Sequence, residues 1–198
     1  MLMKSIRHNL VRLIDFSGRE DRALFWPYAG AVFAAVNVIG VAAISSIIVA
    51  SMTRIQRFVV AHPDQASVAV GPESYAITIH GAHPELIPDF TSVFLTSESI
   101  AVATIALLAA AVSRRLHDRG KTGVWGAMPL PFLAIGMIAM PRFFAATASG
   151  RGPDLGAFFL LFFNNMIYIA ALLVLTGLLA LKGQPNINRF GAPSTASG

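Results

Sequence analysis

Cysteine is absent from the sequence, and charged residues are scarce. The lack of cysteine excludes a disulfide framework and any thiolate chemistry. Only 13% of the residues are Asp, Glu, Lys or Arg, whereas soluble domains contain about 25%. Hydrophobic residues make up 55% of the chain, and the mean hydropathy is +0.65. So little charge beside so much apolar mass indicates a membrane protein.

Long uncharged runs divide the chain into candidate membrane spans. A helix needs roughly 20 residues to cross about 30 Å of hydrocarbon. Three runs are long enough outright, and the second reaches this length if it includes Glu98 in the outer part of the helix. We therefore predict an all-α integral membrane protein with four transmembrane helices, at about 24–51, 92–113, 123–141 and 155–181.

The distribution of Lys and Arg predicts the orientation of these spans. Eleven of these residues lie in segment 1–24, in the loop after the second span and in the tail, against four in the loops 54–98 and 142–154. Cytoplasmic segments carry the excess of positive charge. Both termini are therefore predicted to be cytoplasmic. The net charge of +5 then favours an anionic lipid surface as partner rather than nucleic acid.

Outside the spans we predict a single membrane domain, 1–193, followed by a disordered tail, 194–198. Residues 1–14 have apolar side chains at helical spacing and predict an amphipathic helix, which lies in the membrane interface or packs on its own protein. Ser17 is predicted to cap the next helix, with Glu20 at the capping-box position. The external loop 54–91 alternates apolar residues around Gly71 and Pro72, which favours a small β-hairpin.

The stretch RRLHDRGKTGVWG, residues 114–126, holds half of the charged residues in the second half of the chain. It is not a phosphate-binding P-loop, because that motif needs a glycine where this chain has Arg115. His117 and Asp118 could act as a general base. The favoured alternative is that the charged side chains anchor two helix ends and pair with Asp15, Asp118 or lipid phosphate. Gly123 and Gly126 allow close helix approach.

Two further groups of polar residues are weaker candidates. His80, His83 and Glu85 in the external loop suit a metal such as zinc or copper, but their spacing matches no diagnostic pattern, and we predict no metal or cofactor. Polar residues inside the membrane are functional candidates by default, although an Asn there also serves simply to bond a neighbouring helix. The candidates are Asn37, Glu98, Asn164 and Asn165.

Three stretches together resemble a known family: DFSGREDRALFW at 15–26, SRRLHDRGKTGVWG at 113–126 and NINRFGAP at 186–193. Their order and the apolar spans between them are similar to the small bacterial inner-membrane proteins called domain of unknown function 805. The resemblance covers about residues 9–193. It implies a multi-pass protein of the bacterial inner membrane and implies no activity. The external loop is longer here than is usual in the family, and Val124 stands where an aromatic residue is common.

All three shared stretches contain Arg and fall on the predicted cytoplasmic face. We therefore predict that Arg19, Arg115, His117, Asp118 and Arg189 meet in one polar cap over the helix ends. The full set of candidate cap residues is Arg19, Arg114, Arg115, His117, Asp118, Arg119, Lys121 and Arg189.

The leading functional hypothesis is a non-catalytic membrane module that contacts lipid, including anionic headgroups, or a protein partner: a second copy or another membrane protein. A small transporter or channel is the alternative, and a water path past Glu98 or Asn164 would favour it. An enzyme acting on a lipid phosphate through His117 and Asp118 comes third, and a cavity at His117 would favour it. An unbroken apolar core with a basic rim would favour the non-catalytic module.

Overall fold

The computed structural model describes residues 1–72, 74–81, 83–147 and 154–193. The predicted tail 194–198 and Arg151 of the orientation count lie outside these residues. The described chain forms five α-helices: α1 (Leu2–Val11), α2 (Arg22–Ala61), α3 (Phe90–Asp118), α4 (Leu130–Ala146) and α5 (Leu155–Ala180). Four segments, α2, α3, Gly123–Ala146 and α5, are long and apolar enough to cross a membrane. The predicted number of apolar helices is confirmed.

Helix α2 begins after Asp21, whose carboxylate accepts a hydrogen bond from the Leu24 amide at 2.9 Å. Asp21 is thus the N-cap residue, and the prediction that Ser17 and Glu20 form a capping box is wrong. The helix continues ten residues past the predicted end of the span at 51, to Ala61. The membrane boundaries themselves stay predictions.

The chain divides into two compact units, Met1–Val38 with Glu98–Gly198, and Ile39–Ser97. The smaller unit contains strands β1 (Ala66–Val70) and β2 (Tyr75–Ile79), which pair antiparallel from Ala66 opposite Ile79 to Val70 opposite Tyr75. The predicted hairpin is therefore confirmed. Alternating apolar residues and a tight turn suffice to define it.

The apolar core of the larger unit is small. It is formed where the first turns of α2 meet the last turns of α3 and α5. Tyr28 is buried within it and donates a hydrogen bond from its hydroxyl to the Leu107 carbonyl at 2.7 Å. The buried core residues are Phe25, Tyr28, Val32, Ala111, Leu116, Leu175 and Leu179.

The polypeptide between α3 and α4 packs tightly against α3. It contains a short 3-10 helix, Gly123–Ala127. A β-carbon on Gly123 would lie 2.3 Å from the Ser113 hydroxyl oxygen, and one on Gly126 would lie 2.8 Å from a Val112 methyl group. Only glycine fits at this separation, which confirms the predicted close approach.

Helix α1 packs on its own protein through a polar stripe. Ser5 and Asn9 are buried, and the Ser5 hydroxyl donates to the Leu24 carbonyl. Ile6 packs on the edge of the apolar core. The opposite side is exposed and mostly apolar, with Met3 75% and Val11 78% accessible, and it also carries the exposed Arg7. Contact with the protein is thus made mostly by polar residues, and placement of the apolar side in a membrane interface stays a prediction.

The docking of α1 is expected to depend on pH through His8. Burial lowers the pKa of the His8 imidazole below its usual 6.5; Glu20 opposes this shift, and Arg12 and Arg114 add to it. The folded state disfavours the charged ring. The stability that the neutral His8 ring contributes is therefore full above pH 6.5 and is lost as the pH falls through the lowered pKa. The protection of the α1 amides against exchange, taken relative to the intrinsic exchange rate at each pH, should therefore fall in acid, and His8→Asn should reduce this fall.

The matched control for this measurement is His62→Asn, which changes an exposed histidine in the smaller unit. An unchanged pH dependence in His8→Asn would show that another group governs the docking of α1.

Candidate functional site

The largest fully buried side chains of the described residues are arginines rather than apolar residues. Arg114 and Arg115 have no exposed surface, and Arg19 is 6% exposed. They lie with the buried carboxylates Glu20 and Asp118, and we call these five residues the arginine cluster. A buried charge is tolerated only when it is paired and hydrogen bonded, so the partners of each arginine decide what the cluster does.

Arg114 joins α3 to the segment around α1. Its Nε donates to Glu20 Oε2 at 2.8 Å, and one terminal nitrogen donates to Asn9 Oδ1 at 2.6 Å. The other terminal nitrogen donates to the Arg12 carbonyl at 2.9 Å and to the Asp15 carbonyl. Arg114 therefore donates hydrogen bonds to carbonyl groups just beyond the end of α1. Because the helix has ended there, no further helical turn supplies donors to these carbonyls.

Arg115 does the same for the end of α5. Its Nε donates to the Leu179 carbonyl at 2.9 Å, and a terminal nitrogen donates to the Leu181 carbonyl. The remaining terminal nitrogen donates to Asp118 Oδ2 and, at 3.4 Å, to the Glu20 carbonyl. Two neighbouring arginines thus bind the ends of two different helices.

Arg19 connects the segment before α2 with the segment after α5. Its Nε and one terminal nitrogen donate to Asp118 Oδ1 at 3.0 and 2.9 Å. The terminal nitrogens also donate to the carbonyls of Asn186 at 2.8 Å, Gly191 at 3.2 Å and Gln184. Asp118 is thus shared by Arg19 and Arg115, one on each carboxylate oxygen.

The arginine cluster carries three positive and two negative charges, so it keeps one net positive charge. Glu20 Oε1 has no hydrogen-bond partner among the described residues.

The basic residues around the cluster contact backbone carbonyls or an aromatic ring. Arg119 donates to the Lys182 carbonyl, Lys121 lies 4.9 Å from the centre of the Trp125 ring, and Arg189 donates to the Gly120 carbonyl at 3.4 Å.

His117 is held in one orientation at the edge of the cluster. Its Nδ1 lies 3.0 Å from the Gly18 carbonyl, and its ring stacks on Phe190 at 3.8 Å between ring centres. A carbonyl can only accept, so Nδ1 carries the proton of the neutral ring and Nε2 is left as an acceptor. Nε2 lies 3.5 Å from the Ser113 hydroxyl. Asp118 is not its partner, so the predicted pairing of His117 with Asp118 is not formed.

A groove of about 780 Å³ opens beside His117 and runs between α3, α4 and α5. Ser113 and His117 lie at one end of its α3 wall, and Ala101 lies at the other end. Thr104 also lines the groove, but its hydroxyl donates to the Ile100 carbonyl of its own helix at 2.7 Å. Most of the remaining lining is apolar.

The four intramembrane candidates are not brought together by any described hydrogen bond. Asn37 is exposed and donates to the Phe33 carbonyl of its own helix at 2.8 Å. Asn164 donates across to the Phe132 carbonyl of α4 at 2.9 Å, and Asn165 is exposed. Glu98 is half-buried. Asn164 thus makes the interhelical hydrogen bond that was predicted as the alternative to a functional role.

In the loop predicted to be external, His83 Nδ1 lies 3.0 Å from Glu85 Oε1. The described part of the chain contains no group of three or more His, Cys, Asp or Glu residues that could hold a metal ion.

Sequence reasoning missed several residues of the site. Glu20 was assigned to a helix cap, and Asn9, Gly183 and Phe190 were not singled out. A β-carbon on Gly183 would lie 1.9 Å from Asp118 Oδ2, so this glycine makes room for the shared carboxylate. The sequence signal for a role of Glu20 in an ion pair was its acidic side chain beside the first span. The sequence does not show which arginine this side chain meets.

Residues 13–192 match the family described as Protein of unknown function (DUF805). The chain therefore belongs to this family, as its motifs indicated. No curated protein and no solved structure matches the chain.

Replacing a buried arginine should destabilise the larger unit. Arg115→Ala leaves Asp118 with one partner fewer and exposes the last carbonyls of α5, so we expect the free energy of unfolding to fall by about 3–5 kcal/mol. Thermal unfolding in a mild detergent would measure this loss. Arg7→Ala removes an exposed arginine and serves as control, with an expected change within about 0.5 kcal/mol. Equal effects of the two substitutions would contradict a structural role for the cluster.

A single methyl group at Gly183 should disrupt the same cluster. Gly183→Ala places its β-carbon 1.9 Å from Asp118 Oδ2, whereas a β-carbon on Gly177 meets nothing within 4 Å. The first substitution should lower the free energy of unfolding by about 3 kcal/mol, as the loss of a buried ion pair does. The second should leave it unchanged or raise it, because alanine favours helix. Thermal unfolding of the two variants side by side tests the contact.

Proposed function

We propose that this chain is a non-catalytic integral protein of the bacterial inner membrane, with four spans and both termini in the cytoplasm. The supporting observation is the exposure of its apolar helices. In the most hydrophobic 18-residue stretch of each of the four spans, only 6–17% of the residues are buried within the protein. Soluble monomers rarely expose contiguous apolar patches beyond a few hundred Å², whereas a bilayer covers such surface without cost.

The proposed role of the arginine cluster is structural. Its donors are used on carboxylates and backbone carbonyls of the protein itself, and its residues are almost fully buried. The half-buried Arg119 and Lys121 and the exposed Arg189 surround it and would face anionic headgroups at the cytoplasmic surface. The arrangement supports a module that contacts lipid or a membrane partner around a rigid cytoplasmic end.

A membrane enzyme is the second candidate, because the groove at His117 was the feature expected of one. Ser113 and His117 would be a nucleophile and its base. Two observations weigh against it: Asp118 is occupied by two arginines, and the Ser113 hydroxyl lies at the outer limit of a hydrogen bond to Nε2. A transporter has less support, since Asn37 and Asn164 each donate to a backbone carbonyl.

The topology can be tested cleanly because the chain has no cysteine. Single substitutions Ala192→Cys, in the tail, and Ser67→Cys, in strand β1, both lie at exposed positions. In intact cells with a permeabilised outer membrane, a maleimide that cannot cross the inner membrane should label Ser67→Cys and leave Ala192→Cys unlabelled. Lysis should make both reactive.

The cysteine-free parent protein is the control for background labelling. Labelling of Ala192→Cys in intact cells would overturn the proposed orientation. Recovery of the protein in the soluble fraction would overturn the membrane assignment altogether.

A further inference from the structure

The groove beside His117 has the length of one lipid molecule. Its α3 wall extends from Ala101 to His117, which is about 24 Å at 1.5 Å per residue. One leaflet of a bilayer, headgroups included, is about 20–22 Å thick, half of the whole membrane. The three helices that form the groove are all candidate spans, so in a membrane the molecules next to it are lipids.

The two ends of the groove differ in chemistry. Ala101, Ile105 and Leu108 line the part farther from His117, and Leu130, Leu133 and Leu172 line the walls contributed by α4 and α5. Ser113 and His117 lie at the end where α3 finishes. This is the arrangement that an acyl chain with a polar headgroup requires.

The polar end also has unused hydrogen-bonding capacity. The 3.5 Å between Ser113 Oγ and His117 Nε2 is at the limit of a hydrogen bond. The hydroxyl is therefore available to donate to a phosphate oxygen, and the ring nitrogen to accept from a headgroup hydroxyl.

The surroundings of this end are positively charged. The arginine cluster has one net positive charge, and no described ion pair involves Arg119, Lys121, Lys182 or Arg189. Lys121 lies two residues before Gly123, which lines the groove. An anionic headgroup complements this charge.

We propose that the groove binds one anionic phospholipid, with its acyl chain along α3 and its headgroup at Ser113 and His117. The proposal rests on the proposed function, because the groove meets lipid only if the helices lie in a bilayer. It goes further by assigning a site and a ligand class. The lipid is a specific partner of one chain and not part of the general lipid shell.

Native mass spectrometry of the full chain released from nanodiscs tests the site. The nanodiscs contain phosphatidylglycerol and phosphatidylethanolamine in equal amounts, and we expect one retained phosphatidylglycerol per chain. Ala109→Phe fills the groove from the α3 wall and should abolish retention. Ala106→Phe places the same side chain at an exposed position of α3 and should retain the lipid. Leu133→Trp fills the groove from α4 and should also abolish retention. A folding defect in Ala109→Phe alone would then not explain the loss.

The headgroup contact has its own expected result. His117→Ala should reduce the preference for phosphatidylglycerol over phosphatidylethanolamine by about fivefold, the loss typical of one hydrogen bond between neutral groups, here from the glycerol hydroxyl to Nε2. Equal retention by Ala109→Phe and Ala106→Phe, at any level, would overturn the groove as the site. Retention without preference between the two lipids would overturn the anionic headgroup. Neither result affects the cysteine labelling, so the membrane topology stands or falls separately.

Discussion

The sharing of two buried carboxylates by three guanidinium groups is the interaction on which the larger unit depends. Arg19, Arg114 and Arg115 bring together the segment before α2, the end of α3 and the segment after α5. Helix association in a bilayer gains little from burying apolar surface, because lipid is as apolar as the helices. Directional bonds to particular carbonyls therefore specify the arrangement, and the apolar surface is left for the lipid. The result is a protein in whose described part the two largest fully buried side chains are arginines.

The parts of the fold that depend on local pattern could be predicted from the sequence. Long uncharged runs predict the four apolar helices, and alternation around Gly71 predicts the hairpin. The site was predictable only in outline, as three Arg-containing stretches at the helix ends. The pairing of Arg114 with Glu20 needs the tertiary arrangement, because 94 residues separate them. His117 and Asp118 diverge because successive residues on a helix point about 100° apart, so that one reaches the groove and the other the cluster.

The arginine cluster and the groove are physically connected through His117. Its ring is fixed by the Gly18 carbonyl and by Phe190. Arg19 follows Gly18 directly and donates to the Gly191 carbonyl, next to Phe190. The arginine cluster therefore sets the position of the groove's polar end without touching it. This explains how residues remote from a ligand can govern its binding: they hold the two segments between which the histidine lies.

The contacts of Arg115 also impose an order on the assembly of the protein. Its guanidinium is satisfied by carbonyls at the end of α5, which are synthesised more than sixty residues later. Until that last helix is made, the end of α3 carries charges whose permanent partners do not yet exist, and these must remain in water or pair with lipid phosphate. The final span thus does more than add another crossing. Its arrival supplies the permanent partners of these charges and joins the end of α5 to the end of α3.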